Sequence, residues 1–230
     1  MCVCVCVVWA GANRGLATKK HSKPTFSKLS MSKLSVQIDA TSDLACPWCY
    51  VAYRRMVAAI HKFDAVIDFQ INWHPFMIDK KTQKQGEEYL AYNIRRWGGD
   101  GWVHDMKRTS RKDGCLFSNW RTWPNSFNAH RLMLLAKRVS WQEAHEIKLA
   151  LFEKCYEEGQ NISDVNVLIS IGEESGLPNC EDYMNSETGN EEVTQDDYDA
   201  KRRGVTGVPD FVITCGAREA ALHGAQVRGF

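Results

Sequence analysis

Residues 34–74 combine the hydrophobic periods of a strand and of a helix in an order that few folds accommodate. Residues 34–38 and residues 67–73 alternate apolar and polar side chains, which predicts two half-buried strands. Between them, residues 47–62 carry apolar side chains at spacings of three and four, which predicts an amphipathic helix. Strand, helix and strand in this order form a βαβ unit, so the two strands are expected to be parallel and their crossover right-handed.

Two cysteines, Cys46 and Cys49, stand at the junction of the first strand and the helix. Pro47 and Trp48 separate them, and proline is favoured at the first position of a helix because its missing N–H would have no partner there. This spacing predicts that Cys46 caps the helix and that Cys49 lies one turn further in.

The cysteine pair fits three interpretations: half of a zinc site, a structural disulfide and a redox couple. Zinc needs four ligands, and the sequence has neither a second C-x-x-C pair nor a histidine pair with ligand spacing, so no metal is predicted. A structural disulfide that closes so short a loop would add little stability. A redox couple uses the whole local pattern, because the amides and the dipole at a helix N-terminus stabilise a thiolate. The pattern therefore predicts a lowered pKa for Cys46, and a Cys49 that stays protonated until it resolves a mixed disulfide.

Helical patterns occupy more than a hundred of the residues that follow. They predict helices near residues 85–97 and over residues 127–139, 141–159, 163–176 and 190–204. Ser163 is predicted to cap the fourth of these helices. A third strand, short and largely buried, is predicted after Pro209, because a strand tolerates proline at its entry. The predicted architecture is α/β, a small sheet domain with a helical insert between its second and third strands.

Several segments resemble the DsbA-like thioredoxin-fold oxidoreductases, in particular their FrnE-like branch. The resemblance covers about residues 34–226 and rests on "SDLACPWCYVAYRRM", "WHPFMID", "SFNAHRLMLLA", "EGQNISDVNVLISIGEESGL" and "GVTGVPDFVI", which occur in the family's order. It implies a thioredoxin fold with an all-helical insert, with Cys46 as the nucleophile and Cys49 as the resolving thiol. It also implies that the Val208–Pro209 peptide bond is cis and faces the cysteines, which leaves the backbone of Val208 free to pair with an extended substrate. The residues expected to contact the substrate are Pro47, Trp48, Val208 and Pro209.

The pattern and the resemblance together divide the chain into an extension and a domain. Residues 1–33 are expected to form a disordered or targeting extension, and residues 34–230 the DsbA-like domain. Within that domain, residues 34–80 and 204–230 are expected to form the thioredoxin core, and residues 81–203 the insert. Family members typically end on a further helix packed on the sheet. That helix is expected to be missing here, which would expose an apolar face of the sheet.

The sequence predicts a thiol–disulfide oxidoreductase that works through a mixed disulfide on protein or small-molecule thiols. No cofactor is predicted, although glutathione is considered as a co-substrate. The resemblance extends to the 2-hydroxychromene-2-carboxylate isomerases and the kappa-class glutathione transferases, so a glutathione-dependent isomerase or transferase is the alternative. Those enzymes typically carry serine where Cys46 stands, and a pair of cysteines favours redox chemistry. An inactive, truncated binding protein is a further alternative.

The composition argues against nucleic-acid and membrane partners. The net charge is +1, and no apolar run is long enough to cross a bilayer. Basic residues and tryptophans are interspersed over residues 95–123, a combination found in proteins that bind single-stranded nucleic acid. A helical cap with inward-packed tryptophans is the preferred interpretation, and an intermediate one is a groove beside Cys46 that favours an anionic partner such as glutathione. His74 and His130 are interpreted as hydrogen-bonded structural residues rather than catalysts.

The N-terminal residues leave several compartments open. No acidic residue precedes Asp39, and the chain starts with the low-complexity stretch "MCVCVCV". A disordered or wrongly assigned start is the first interpretation, an organelle transit peptide the second and a secretion signal the third. The predicted compartment is therefore the cytoplasm, with the mitochondrion or plastid as the alternative.

Overall fold

The computed structural model describes residues 33–226, so the predicted extension of residues 1–33 lies outside the described residues except for its last position. The strands, in chain order, are β1 (Leu34–Ser42), β2 (Ile67–Pro75), β3 (Glu87–Glu88), β4 (Thr122–Trp123), β5 (Asp210–Cys215) and β6 (Arg218–His223). The helices are α1 (Pro47–Phe63), α2 (Tyr89–Trp97), α3 (Gly101–Ser110), α4 (Phe127–Val139), α5 (Trp141–Tyr156), α6 (Val165–Glu174), α7 (Cys180–Asn185) and α8 (Asn190–Arg202). Among these described helices, none combines the length and the apolar character that crossing a bilayer requires.

The predicted βαβ unit with parallel strands is confirmed. β1 and β2 are parallel and paired over their whole length, starting with Leu34 opposite Ile67. α1 connects them and begins at Pro47, with Cys46 as its N-cap, because proline is suited to the first helical position. Alternate side chains of the two strands enter the core, and the buried apolar ones are Val36, Ile38, Ala40, Ile71 and Trp73.

β1 lies inside a four-stranded sheet in the order β2–β1–β5–β6. β5 runs antiparallel to β1 and follows Pro209, where the sequence predicted a third strand. β5 and β6 form an antiparallel hairpin in which Cys215 lies opposite Arg218, and Gly216 occupies its turn with a φ of 57°. Glycine adopts this left-handed conformation without a steric penalty. β6 was not predicted, because it is exposed along its whole length and so carries no hydrophobic alternation.

The insert between β2 and β5 is helical apart from the short antiparallel pair of β3 and β4. α2, α4, α5, α6 and α8 lie where the sequence predicted helices. α3 and α7 were not predicted. α3 buries only Val103, Met106 and Ser110, and α7 is six residues long, so neither gives a clear helical period.

The start of α6 differs from the prediction by one residue. The helix is capped by Asp164, whose carboxylate accepts a hydrogen bond from the N–H of Asn166 at 2.9 Å. The predicted cap, Ser163, has another role, since its hydroxyl accepts a hydrogen bond from the N–H of Asn125 at 2.8 Å. Asp164 rather than Ser163 caps α6, because the Ser163 hydroxyl already accepts a hydrogen bond from the loop that precedes α4.

A cluster of aromatic side chains joins the insert to α1. The ring of Tyr50 stacks on that of Tyr156 with centroids 5.8 Å apart, and contacts Phe152 at 5.3 Å and Phe117 at 5.7 Å. All four rings are buried, and full burial of one such side chain contributes about 1.5–3 kcal/mol. The cluster therefore holds the helix that carries the cysteines firmly against the insert. Cys155, the neighbour of Tyr156, is also buried.

The face of the sheet opposite the apolar one is mainly polar. Its side chains include Gln37, Asp39, Thr41, Gln70, Asn72, His74, Asp210 and His223. Asp39 accepts a hydrogen bond from Asn72 at 3.1 Å and pairs with His74 at 3.0 Å, so His74 is hydrogen-bonded as predicted. His223 pairs with Asp210 in the same way. Polar groups that satisfy one another therefore occupy this face, and the expected loss of a final helix, with exposure of an apolar sheet face, stays a prediction.

Candidate active site

The two cysteines lie where β1 meets α1, and the loop before β5 packs against them. Cys46 is the N-cap of α1, and the N–H of Cys49 donates to the Cys46 carbonyl oxygen at 3.0 Å. Both are free thiols with little exposure, 5% for Cys46 and 2% for Cys49. The Cys46 thiol donates to the carbonyl oxygen of Val208 at 3.7 Å, and the peptide bond between Val208 and Pro209 is cis. The structure therefore brings together two pairs of residues, Cys46 with Cys49 and Val208 with Pro209, that lie far apart in the sequence.

A buried carboxylate, Asp43, shapes the turn that leads into α1. Its side chain accepts hydrogen bonds from the N–H groups of Ala45 at 2.9 Å and Ile78 at 2.8 Å. His130 contributes a further contact, with Nε2 3.6 Å from a carboxylate oxygen. Burial alone would raise the pKa of Asp43, but its contacts with His130 and the Ile78 amide hold that pKa below its ordinary value. Asp43 is therefore a fixed negative charge near the cysteine pair.

The contact between the two thiols shifts their pKa values in opposite directions, which the sequence did not predict. The pKa of Cys46 is raised well above its ordinary value, first by its hydrogen bond with Cys49 and then by burial and by the charges of Cys49 and Asp43. Burial would also raise the pKa of Cys49, but contacts with Cys46 and Ser42 and the charge of Lys148 bring it below its ordinary value. The prediction of a lowered pKa for Cys46 is therefore wrong for the dithiol. The Cys49 amide does favour a thiolate at Cys46, as expected at a helix N-terminus, but the other contacts outweigh it.

A groove of about 880 Å³ opens in front of Cys46. Four of the predicted site residues line it, namely Cys46, Pro47, Trp48 and Val208. Trp48, which was expected to contact the substrate, is partly exposed there. Pro209 is buried and borders a different groove, of about 950 Å³, on the polar face of the sheet, and Cys49 lines neither groove. Cys46 is therefore the sulfur that faces a molecule in the first groove.

The groove in front of Cys46 carries positive charge and aromatic surface. Its basic residues are Lys80, Arg96 and Lys201, and its tryptophans are Trp48, Trp97, Trp102 and Trp123. Lys80 and Lys201 both pair with Asp197, at 2.6 and 2.7 Å, and Arg96 lies 4.4 Å from the ring of Trp97 and 4.0 Å from the carboxylate of Asp79. Part of the 95–123 segment therefore borders the groove, as the intermediate interpretation of that segment expected. No aspartate or glutamate lines this groove, so no carboxylate of the lining would repel a bound organic anion.

Lys148 is a neighbour of the site that the sequence analysis missed. It lies on α5 with 2% of its surface exposed, and its Nζ atom is 4.4 Å from the centre of the Trp73 ring. Burial lowers the pKa of Lys148 to about 8, against the opposing effect of Cys49. A signal was present in the sequence, because Lys148 falls on the buried stripe of α5 between Ala144 and Leu151, where a charged residue is unusual.

Among the described residues, no group of three or more histidine, cysteine, aspartate or glutamate side chains is placed to hold a metal ion. The reactive groups that the described residues place at the site are the thiols of Cys46 and Cys49, the carboxylate of Asp43 and the amine of Lys148. Together these groups can exchange electrons and protons with a sulfur compound in the groove.

The family model of the DSBA-like thioredoxin domain matches residues 37–227 of the chain. Among curated proteins, the uncharacterized protein YwbO of Bacillus subtilis (strain 168) is 24% identical over 192 residues, which cover 78% of this chain and 88% of YwbO.

Solved structures share the fold at low sequence identity. A probable DsbA oxidoreductase of Streptomyces coelicolor superposes with a TM-score of 0.69 at 23% identity, over 83% of this chain and 84% of that one. 2-Hydroxychromene-2-carboxylate isomerase superposes with a TM-score of 0.59 at 16% sequence identity, over 82% of this chain and 89% of the isomerase. The cytosolic disulfide reductase DsbM of Pseudomonas aeruginosa, which has also been solved with GSH, superposes with a TM-score of 0.56 at 20% sequence identity, over 81% of this chain and 88% of DsbM. The α/β thioredoxin fold with an insert, predicted from the sequence, is thereby confirmed.

Proposed function

The chain belongs to the DsbA-like thioredoxin domain family, and we propose on that premise that it is a thiol–disulfide oxidoreductase whose redox couple is Cys46 and Cys49. The observation that carries this proposal is the contrast between the two sulfurs. Cys46 lines a groove of about 880 Å³, and Cys49 lies behind it with a lowered pKa. An exchange couple needs one sulfur that the substrate can reach and one that leaves readily as a thiolate, since a thiol of low pKa is the better leaving group.

The oxidising direction starts from the disulfide form of the couple. A substrate thiolate in the groove attacks Cys46 Sγ, a bond forms between the two sulfurs, and the Cys46–Cys49 bond breaks. Its electron pair goes to Cys49, which leaves as the thiolate that its surroundings favour. A second substrate thiolate then attacks the substrate sulfur of the mixed disulfide, and Cys46 leaves and takes up a proton. The substrate dithiol is oxidised and the couple is reduced; the same steps in reverse reduce a substrate disulfide.

The other predicted site residues would position the substrate. Val208 presents backbone next to Cys46, and an extended peptide that pairs with that backbone would bring its own sulfur to the Cys46 thiol. Trp48 offers a partly exposed apolar surface beside the same sulfur, and Pro47 borders the groove at the start of α1. Pro209 would act from behind, by fixing the course of the chain at Val208. Protein thiols and small-molecule thiols both fit a groove of this size.

The proposal is tested by measuring turnover with a reduced or a disulfide-bonded protein substrate and with glutathione disulfide. Cys46→Ser is expected to abolish turnover, because no other sulfur of the couple reaches the groove. Cys49→Ser is expected to trap a mixed disulfide between Cys46 and the substrate, which mass spectrometry detects. Cys215→Ser is the matched control, since Cys215 lies on β5 outside the groove. Turnover of Cys46→Ser comparable to that of the unaltered chain would remove the proposal.

A second candidate is a glutathione-dependent isomerase or transferase, and the charge of the groove favours it. Glutathione is an anionic tripeptide, and the lining of the groove includes Lys80, Arg96 and Lys201 but no carboxylate. In such an enzyme the thiol of glutathione would react with the substrate, and Cys49 would have no part in the reaction. Glutathione could equally serve the redox couple as a co-substrate.

The two candidates differ in their dependence on Cys49 and share a dependence on the basic residues. A Cys49→Ser variant that keeps full glutathione-dependent activity would support the transferase, whereas its inactivity supports the redox couple. Arg96→Gln is expected to raise the KM for glutathione or its disulfide, because it removes a positive charge from the groove. Lys84→Gln is the control, because Lys84 is an exposed lysine that does not line the groove.

A further inference from the structure

A buried carboxylate, that of Asp197 on α8, lies behind the groove in front of Cys46 and binds two of the groove's lysines. Its oxygens lie 2.6 Å from Nζ of Lys80 and 2.7 and 2.9 Å from Nζ of Lys201. The N–H of Met77 donates a further hydrogen bond to it at 2.8 Å. Burial would raise the pKa of Asp197, but these hydrogen bonds hold that pKa below its ordinary value, so the carboxylate is ionised. Two ammonium groups therefore share one carboxylate, and the cluster carries an excess positive charge.

The two lysines of this cluster differ in the hydrogen-bond donors that they leave for a ligand. An ammonium has three N–H donors. Lys201 contacts both oxygens of Asp197 and the carbonyl oxygen of Met77, the latter at 3.1 Å. Its Nζ atom also lies 4.6 Å from the centre of the Phe76 ring. Within the described part of the chain, Lys80 Nζ contacts one acceptor group, the Asp197 carboxylate. Lys80 therefore keeps donors for a molecule in the groove, whereas those of Lys201 are taken up by the protein.

The third basic residue of the groove, Arg96, is directed towards protein groups. Its guanidinium lies 4.4 Å from the ring of Trp97, and its Nε atom is 4.0 Å from the carboxylate of Asp79. Arg96 therefore adds positive charge that Asp79 partly neutralises. Lys80 has the most exposed side chain of the three basic residues, 50% against 42% for Arg96 and 34% for Lys201.

The segment that leads to Lys80 is fixed by two buried carboxylates. The N–H of Met77 donates to Asp197, and the N–H of Ile78 donates to Asp43 at 2.8 Å. Met77, Ile78 and Lys80 all line the groove in front of Cys46. The backbone that presents the Lys80 ammonium is therefore held in place before a ligand arrives, and such preorganisation lowers the entropic cost of binding.

We propose that Lys80 determines the substrate specificity of the groove by binding a carboxylate of a small organic disulfide or thiol. A substrate that carries such a carboxylate would then react with Cys46 in preference to a neutral one. This inference rests on the proposed redox function of Cys46 and Cys49 and adds to it the chemical class of the substrate. The carboxylate takes the free donors of Lys80 and balances the excess charge of the cluster around Asp197.

The first test compares three small disulfides of different charge: glutathione disulfide is anionic, hydroxyethyl disulfide is neutral and cystamine is cationic. The rate at which each oxidises the reduced cysteine pair is measured at low ionic strength, by alkylation and mass spectrometry of the Cys46 peptide. Lys80→Met is expected to lower the rate constant for glutathione disulfide about three- to tenfold and to leave that for hydroxyethyl disulfide unchanged. The rate constant for cystamine should stay equal or rise. Lys80→Arg is expected to keep most of the rate with glutathione disulfide, because arginine retains the charge.

Lys81→Met is the matched control for the loss of one positive charge. Lys81 is the next residue in the chain, is exposed and does not line the groove. Lys80→Met is expected to stay folded, because Lys201 and the Met77 amide still satisfy the buried carboxylate. An unchanged rate with glutathione disulfide in Lys80→Met would overturn the proposal. So would an equal loss for all three disulfides, or an equal loss in Lys81→Met.

The second test measures binding without thiol exchange. S-Methylglutathione carries the carboxylates of glutathione but has no free thiol, and isothermal titration calorimetry gives its Kd. Lys80→Met is expected to raise that Kd about three- to tenfold over the unaltered chain. Equal affinity in the two chains, or binding to neither, would overturn the role of Lys80 and leave the redox couple in place. Weakened binding in a chain whose cysteines no disulfide oxidises would remove the proposed oxidoreductase and keep Lys80 as the carboxylate-binding residue, so the two failures are distinguishable.

Discussion

The thiol of Cys46 lies 3.7 Å from the carbonyl oxygen of Val208, although the two residues are 162 positions apart in the chain. A thiol donates a weak hydrogen bond to such an oxygen, and a thiolate cannot. The contact therefore belongs to the protonated form of Cys46, in agreement with the raised pKa of this residue and the lowered pKa of Cys49. A proton shift from Cys46 to Cys49 would weaken this contact and free the sulfur to attack a molecule in the groove.

Replacing Cys49 is expected to make Cys46 more reactive towards iodoacetamide. The largest cause of the raised pKa of Cys46 is its hydrogen bond with Cys49, so Cys49→Ala lowers that pKa and increases the thiolate fraction at pH 7. Each unit of decrease raises that fraction about tenfold while the pKa stays above the assay pH. Mass spectrometry of the Cys46 peptide gives the rate. Cys155→Ala, which removes a buried thiol of α5, serves as the control, and a rate that stays equal or falls would contradict the expectation.

Asp43→Asn is expected to destabilise the fold near neutral pH and to do so less in acid. The pKa of Asp43 is lowered in the folded state, so its ionised form contributes stability above the unfolded value of 3.8, and this contribution is lost as the pH falls through the lowered folded value. An amide accepts only one of the two backbone bonds, so the free energy of unfolding at pH 7 should fall by about 1–3 kcal/mol.

Urea unfolding at pH 7 and at pH 3 measures how much Asp43→Asn lowers the free energy of unfolding at each pH. The comparison variant is Asp105→Asn, whose side chain is 79% exposed and pairs with Arg108 on the surface. A loss of stability for Asp43→Asn that is as large at pH 3 as at pH 7 would argue that packing, rather than charge, is responsible.

Arg55→Met is expected to lower the free energy of unfolding by about 3–5 kcal/mol, because it breaks a buried ion pair and leaves Asp113 unpaired. Arg55 donates to Asp113 at 2.8 Å and to the carbonyl oxygen of Ala225 at 2.7 Å, and so ties α1 to the segment after β6. Arg108→Met should change the same quantity by less than about 1 kcal/mol, since its ion pair with Asp105 is exposed. Chemical denaturation that finds similar values for the two variants would refute the role of Arg55.

Gly172→Ala in α6 is expected to destabilise the insert by about 1–3 kcal/mol through a steric clash. A Cβ atom at this position would lie 2.2 Å from the sulfur of Cys180. At Gly101, the first residue of α3, a Cβ would meet nothing within 4 Å, so Gly101→Ala should be neutral or stabilising. Unfolding midpoints give both effects. The double variant Gly172→Ala/Cys180→Ala should recover part of the loss, and an additive further loss would show that the sulfur is not the obstacle.

The features predicted correctly from the sequence are those with a local cause. The period of two in β1 and β2, the period near 3.6 in α1 and the proline at position 47 each act over a few residues, so they place Cys46 at the N-cap without knowledge of the rest of the chain. β6 carries no such signal, because strand pairing is made by the backbone and its side chains all face solvent.

The protonation of the cysteine pair could not be predicted in this way. A helix N-terminus favours a thiolate at its cap, and the sequence offers no reason to place the charge elsewhere. The two pKa values are set first by the contact between the two cysteines and by burial, and further by Asp43 from the preceding turn and Lys148 from α5. Such tertiary contacts decide the pKa values of buried groups, and hydrophobic periodicity contains no information about them.

Because the insert is long, the ribosome synthesises Cys46 and Cys49 well before it synthesises Val208 and Pro209. At about 5–20 residues per second, a ribosome needs roughly 8 to 32 s to add the 162 positions between Cys46 and Val208. During that interval the nascent chain carries both sulfurs without the loop that will cover them. The newborn protein is therefore most vulnerable to unwanted cross-linking before its own synthesis ends, and a chaperone or a reducing environment would matter most at that stage.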